Sequence, residues 1–307
     1  MNFASGLRIV PALIATALLA AGCAGGAAVK PGVQPAYPSD AGALTVVGTE
    51  NFYADVLHQV GGRKVKVYSF LSDPNADPHQ YESNAADARA VADARLVIEN
   101  GLGYDAFMDR LLKASPSSNR EVINVQSLVG AQTGSNAHLW YDPAVMPRVA
   151  AAAAAALQRL DPSHSDLYSA GLAGFNSRQQ AVADEVAALK AKYAGAPVAF
   201  TEPVAGYLAD AIGLSVKSPP EFMKAIEEGN DPPSGAVAEE ENLLRNHEVK
   251  VLLYNSQTVT KLTAQVKDVA AASQVPVVGV AETEPPGTTF QDWQLAQLKA
   301  LETALSS

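Results

Sequence analysis

Residues 161–200, DPSHSDLYSAGLAGFNSRQQAVADEVAALKAKYAGAPVAF, decide the architecture. Asp161-Pro162 offers an N-cap followed by proline at the first helical position, where its missing N–H costs nothing. From there to about Tyr193, the residues Tyr168, Leu172, Phe175, Val182, Val186, Leu189 and Tyr193 recur at four-three spacing, with Gln179 the one polar interruption. At 1.5 Å per residue this helix is on the order of 48 Å long, enough to pass along two lobes. Gly171 and Gly174 weaken its N-terminal half, so a break there is compatible with the sequence.

The same pattern of elements lies on both sides of this helix. Before it come LTVVG (44–48), VKVYSF (65–70), RLVIEN (95–100) and EVINV (121–125), each followed by a stretch with helical spacing. After it come PVAF (197–200), KVLLYN (250–255) and VPVVGVA (275–281), nearly continuous in apolar residues. Strands alternating with helices imply parallel α/β layering, and continuous apolar strands imply a sheet covered on both faces. The fold expected is therefore α/β: two Rossmann-like lobes with parallel sheets, joined by one long rigid helix, with a site in the cleft. The expected boundaries are a lobe at 44–161, a connecting helix at 162–194 and a second lobe at 195–307. A second capped helix opens at Asp142-Pro143 and carries AVMPRVAAAAAAALQRL. Ligands of open α/β sheets gather beyond the carboxyl ends of the strands, which here means the cleft between the lobes.

The chain starts MNFASGLRIVPALIATALLAAGC, with Arg8 ahead of an apolar run too short to span a bilayer. This reads as a secretory signal over residues 1–22. Cys23, the only cysteine, excludes an intrachain disulfide, and its setting resembles the lipobox of bacterial lipoproteins, which implies a lipidated N-terminus anchored to the cell envelope. The following AGGAAVKPGVQPAYPSDAG reads as a flexible tether over 23–43, with folding starting near Leu44. A net charge of −10 argues against nucleic acid as a partner. The acidic run Glu239-Glu240-Glu241 reads as a solvated helix face.

Of the five histidines, His79 and His138 sit in Pro/Asp/Asn-rich loops, whereas His58, His164 and His247 have ordinary helix or helix-end contexts. Carboxylates that follow strands of the second half are Glu202, directly after PVAF, and Glu282 and Glu284, after VPVVGVA. Imidazole with carboxylate is a donor set for a first-row transition metal. Asp142 caps its helix or orients His138; Glu50 faces the cleft unless Asn51 simply caps the next helix; Trp140 is cleft wall or core.

GTENFYADV, DPNADPHQYE, NAHLWYDP, TEPVAGYLADAIGL and GVAETEPPGTTFQDW, in this order, resemble the zinc/manganese receptor family, the metal-specific solute-binding proteins of ABC importers. The resemblance covers essentially the whole chain after the tether. It implies a monomeric, lipid-anchored extracytoplasmic receptor, not an enzyme, that delivers one divalent metal ion to an ABC permease. It further implies His79 and His138 as ligands from the first lobe, closed upon by Glu202 and Glu282 from the second, with Glu284 an alternative fourth ligand. Two departures bear on the metal. The long His- and Asp-rich loop common in zinc members is absent, and Glu202 stands where many carry histidine. Two carboxylates favour manganese or ferrous iron slightly, while zinc keeps the higher intrinsic affinity. Rival readings are a metal-dependent hydrolase, against which stands the lack of an HExxH signature, a same-fold receptor for an organic solute or siderophore, and a surface adhesin.

Overall fold

A computed structural model of the chain describes Met1 and residues 36–307. The expected signal segment, Cys23 and the first part of the tether lie outside the described residues. Among the described residues no helix is long and apolar enough to cross a membrane.

The first lobe runs β1 (Leu44–Glu50), α1 (Asn51–Gly61), β2 (Val65–Leu71), α2 (Ala85–Asp93), β3 (Leu96–Glu99), α3 (Phe107–Ala114), β4 (Glu121–Asn124), α4 (Val125–Val129) and α5 (Val145–Leu160). The backbone helix α6 (Ser165–Tyr193) follows. The second lobe holds β5 (Pro197–Phe200), α7 (Gly206–Ile212), β6 (Ser215–Val216), α8 (Pro220–Glu227), α9 (Ser234–Arg245), β7 (Val251–Asn255), α10 (Lys261–Ala272), β8 (Val277–Val280) and α11 (Phe290–Leu305).

Each lobe carries one four-stranded parallel sheet, in the orders β2-β1-β3-β4 and β6-β5-β7-β8. The two orders are the same topology twice, although the sequence shows no internal repeat. The strands pair where their apolar runs align: Val46 lies opposite Val67 and Leu96, and Leu253 opposite Phe200 and Val278. The expected α/β architecture is thus present in both halves.

Helix α6 is unbroken for 29 residues and buries Tyr168, Phe175, Gln179, Val182, Val186 and Leu189, the stripe read from the sequence. Gly171 does not break it. A Cβ there would lie 2.3 Å from the Val60 carbonyl oxygen, so glycine is what lets α6 lie against α1. Helix α6 packs on α1 and α5 of the first lobe and on α7 and α11 of the second. One apolar core runs beneath both lobes, from Val46, Phe52 and Leu96 to Val251, Val278, Phe290 and Trp293. A smaller cluster, including Ala199, Phe222, Leu244 and Val266, covers the outer face of the second sheet. Because each large apolar side chain in the shared core contributes roughly 1.5–3 kcal/mol, parting the lobes wholesale is costly.

A polar seam reinforces this union. Asn51, Asp55 and Gln59 recur every four residues and so share one face of α1. The Asn51 amide donates to the Glu284 carbonyl (2.7 Å) and its Oδ1 accepts from the Glu284 N–H (2.9 Å). Asp55 accepts from the Phe290 N–H at the start of α11 (2.9 Å), and Gln59 donates to Gln291 (2.9 Å).

Four expectations need correction. Packing starts upstream of Leu44: the Ala36 N–H donates to the Val67 carbonyl (2.8 Å) and the Tyr37 ring stacks on His58 at 4.0 Å, so residues 36–43 are not free tether. The Gly and Pro around Tyr37 hid an aromatic ring that buries well. Asn51 is not an N-cap but the pairing residue described above. Asp161 does not cap the backbone; its carboxylate gathers Ser163, His164 and Tyr168, and a 3-10 turn over Pro162–His164 precedes α6. The acidic run on α9 is not solvated throughout: Glu240 and Glu241 are buried, and burial pushes the Glu240 carboxyl up to about 7.

Candidate metal centre

Three side chains from distant parts of the chain converge where the two sheets' carboxyl ends meet. His79, His138 and Glu282 each offer one donor atom, and these atoms lie within 4.8 Å of one another. His79 sits in a 3-10 turn, Pro78–Gln80, in the loop after β2; Asp77 opens the turn by accepting the His79 N–H (2.9 Å). His138 precedes a second 3-10 turn, Leu139–Tyr141, ahead of α5. Glu282 follows β8, whose end fixes it at the sheet's carboxyl edge.

The Glu282 Oε2 is the centre of the group. It lies 3.4 Å from His79 Nε2 and 3.3 Å from His138 Nε2, and accepts from the Tyr104 hydroxyl (3.0 Å). Burial alone pushes the Glu282 carboxyl up, but hydrogen bonds from His138 and His79 overrule it and hold the group far below the usual carboxylate range. For His79, burial works to lower the pKa, while the hydrogen bond and charge of Glu282 raise it to about 9. Without a cation, the carboxylate and a protonated imidazole therefore balance one another, with Glu282 shut away from water and His79 partly open to it.

The second ring nitrogen of His138 is also committed. Nδ1 lies 2.7 Å from Asn136 Oδ1, which as a carbonyl oxygen accepts from it and leaves Nε2 turned toward Glu282. Asn136 itself donates to the Pro203 carbonyl of the second lobe (2.6 Å). Trp140, 1% exposed, stacks on Phe52 and abuts the His138 ring, so it is core supporting the site.

Glu202 is buried close by but does not join the three. Its Oε2 accepts from the Asn255 amide (2.8 Å), and the same amide donates to Glu282 Oε1 (2.7 Å). Asn255 thus bridges the two carboxylates through a single amide group. Burial, opposed by that hydrogen bond and aided by the charge of Glu282, raises Glu202 to about 7, and its Oε1 has no partner among the described residues. Three of the four expected donors thus meet, and Glu282, carried by the second lobe, is fastened to the first through Tyr104 while Tyr141 grips the adjacent Ala281 carbonyl (2.7 Å).

The remaining candidates lie elsewhere. Glu284 is buried, and burial, with the charges of Asp55 and Asp292, raises its carboxyl to about 10. Glu50 is fully buried with neither carboxylate oxygen partnered among the described residues, and burial raises it well above the usual range. Asp142 accepts from the Ala144 N–H (2.9 Å) and opens α5, leaving the orienting task to Asn136. His58, His164 and His247 are away from the cluster, as their contexts suggested. Sequence reading passed over Tyr104, Asn136, Asn255 and Gln257. Three of them end or follow strands, the position that had singled out Glu202, but neutral side chains there gave no chemical signal.

Comparisons with known proteins bear on the family and the fold. The family model described as zinc-uptake complex component A, periplasmic, matches residues 46–304. The manganese-binding lipoprotein MntA of Halalkalibacterium halodurans is 27% identical over 164 residues, covering 52% of this chain and 51% of MntA. The chain thus aligns with about half the length of that relative. Among solved structures, the periplasmic zinc binding protein TroA from Treponema pallidum superposes with a TM-score of 0.73 at 18% identity, covering 86% of this chain and 99% of TroA. The solute-binding protein FpvC of Pseudomonas aeruginosa, solved with Mn2+, gives 0.70 at 18% identity over 86% of this chain and 98% of FpvC. At these identities the structural likeness speaks for the fold.

Proposed function

The chain belongs to the zinc-uptake complex component A periplasmic family, and on that premise we propose that it is an extracytoplasmic receptor that captures one divalent transition-metal ion for an ABC permease. The observation that carries this reading is the convergence of His79, His138 and Glu282 within 4.8 Å, two of them fully buried. Two imidazoles and a carboxylate, with the outer hydrogen bonds of His138 and Glu282 already in place, form a set into which a cation can replace the proton on His79. Glu202 supplies the fourth donor once Asn255 gives up its bond, and Cys23 supplies the lipid anchor to the cell envelope.

The ion enters past His79. Its imidazole is 27% exposed, against 0% for His138. A depression beside it is lined by Asp77, Glu227, Glu228 and Asp231 against Lys261 and His79 itself, so acidic groups outnumber basic ones at the mouth and it attracts cations. Four protein donors leave little room for an activated water, which favours a carrier over a hydrolase. Zinc and manganese both suit the donors; zinc gains from intrinsic affinity and manganese from the two carboxylates, with ferrous iron close behind.

The test is uptake by metal-stripped protein. Loading with Mn2+ or Zn2+, followed by desalting and elemental analysis, should give one ion per chain, and competition between the two assigns the preferred cargo. A protein that retains neither ion stoichiometrically would sink the receptor reading.

A further inference from the structure

One side chain touches both halves of the entrance to the centre. Gln257, two residues beyond the end of β7 and 5% exposed, donates from Nε2 to the Ala76 carbonyl (2.9 Å) and, more weakly, to that of Asp73 (3.4 Å) in the loop leading to His79. The same amide group donates to the Thr283 hydroxyl (3.1 Å), and its Oε1 accepts from the backbone N–H groups of Glu282 (2.5 Å) and Thr283 (3.1 Å). Its own N–H is held by Asn255 Oδ1 (3.0 Å), whose amide bridges Glu202 and Glu282. A single carboxamide thus fixes the height of the Glu282 backbone with its oxygen and the reach of the His79 loop with its nitrogen.

We propose that Gln257 is a positioning residue that ties the His79 loop to the Glu282 loop and thereby sets how long a captured ion is held. The proposal rests on the metal-receptor reading above. Its logic is spatial. His138 and Glu282 are enclosed by the shared core and the α1 seam, so the His79 loop is the part of the centre able to move while both lobes stay joined. That loop is exposed from Ser72 to Ala76, and the polar contact joining this stretch to the opposite lobe is Gln257. Release then begins by breaking the Ala76 bond, not by parting the lobes.

Two variants separate the halves of the amide. Gln257→Met keeps the volume and removes both functions; Gln257→Glu keeps an acceptor for Glu282 and Thr283 but cannot donate to Ala76. Chelator-chase dissociation of Mn2+ should be roughly 10- to 100-fold faster from Gln257→Met than from the parent chain, the usual range for partners just outside a metal's own ligands. Gln257→Glu should also release faster, and adding it to His79→Ala should change little, because both act through the same loop. Wild-type release from both variants, or full additivity with His79→Ala, overturns the proposal. Hydrogen exchange on the metal-free protein reads the tether without any ion: amides of residues 75–80 should exchange faster in Gln257→Met, and unchanged exchange overturns it. If the parent chain takes up no ion, the receptor reading fails separately, and exchange still decides whether the tether exists.

Discussion

His79 and His138 bring the same imidazole to Glu282 from opposite surroundings. His138 is fully buried, with one ring nitrogen committed to Asn136, its ring against Trp140, and its segment tied to the second lobe through Asn136 and Pro203. His79 stands on a short turn in an exposed loop, partly open to solvent, held to the far side through Gln257. The contrast teaches how a rigid two-lobe protein can both hold and surrender an ion. The buried histidine and Glu282 form a fixed base. On the proposal above, the exposed histidine is the moving part of the three, engaging after that base and leaving before it.

Glu282 lies on both sides of this comparison, so its loss should have the largest effect. Glu282→Gln keeps the shape and one acceptor oxygen but removes the charge between both imidazoles. Metal titration should show affinity falling by more than about 100-fold, beyond the range for residues that merely support a ligand. His138→Ala should come next, since nothing else occupies its buried place. His79→Ala should cost less at equilibrium, and chelator-chase kinetics should show its loss chiefly as faster release. Equal affinities and release rates for the two alanine variants would break the comparison.

The pH dependence sharpens it. His79 has a pKa raised to about 9, above the ordinary value of roughly 6.5, so its pairing with Glu282 stabilises the metal-free fold fully below about 6.5. That contribution is lost as pH rises through 9. Metal needs the free base, so binding should displace this proton, and apparent affinity should weaken about tenfold per unit as pH falls below 9. Calorimetry in buffers of different ionisation enthalpy should register the released proton, and His79→Ala should lose that part of the release. Glu202→Gln should have the smallest effect of the four, because Glu202 stands behind Asn255 and completes the set only after the other three have engaged. A loss as large as that of Glu282→Gln would mean that Glu202 belongs to the fixed base.

Much of the fold was legible because apolar runs and their spacing are local. The seven strand segments and the α6 stripe lie on contiguous stretches, and burial acts on them directly. The His79 and His138 loops and the post-strand Glu202 and Glu282 were legible by residue type and place. What was hidden depends on partners far away in sequence. The Tyr104 hydroxyl meets a carboxylate 178 residues on, and the Asn51 amide pairs with a backbone 233 residues away. Neutral amides also look alike in a sequence, so nothing distinguished Asn136, Asn255 and Gln257 from surface amides until the strands' ends were assembled. The buried Glu240 and Glu241 fail for a related reason, since a run of acids reads as a solvated face until a neighbouring helix is known to cover part of it.

The most direct measurement is a crystal structure of the metal-loaded protein with anomalous difference maps at the Mn or Zn absorption edge. The expected peak lies within bonding distance of His79 Nε2, His138 Nε2 and the Glu282 carboxylate, with Glu202 drawn in or one step behind. A peak that lacks either histidine or Glu282, or that lies outside this cluster, would contradict the assignment.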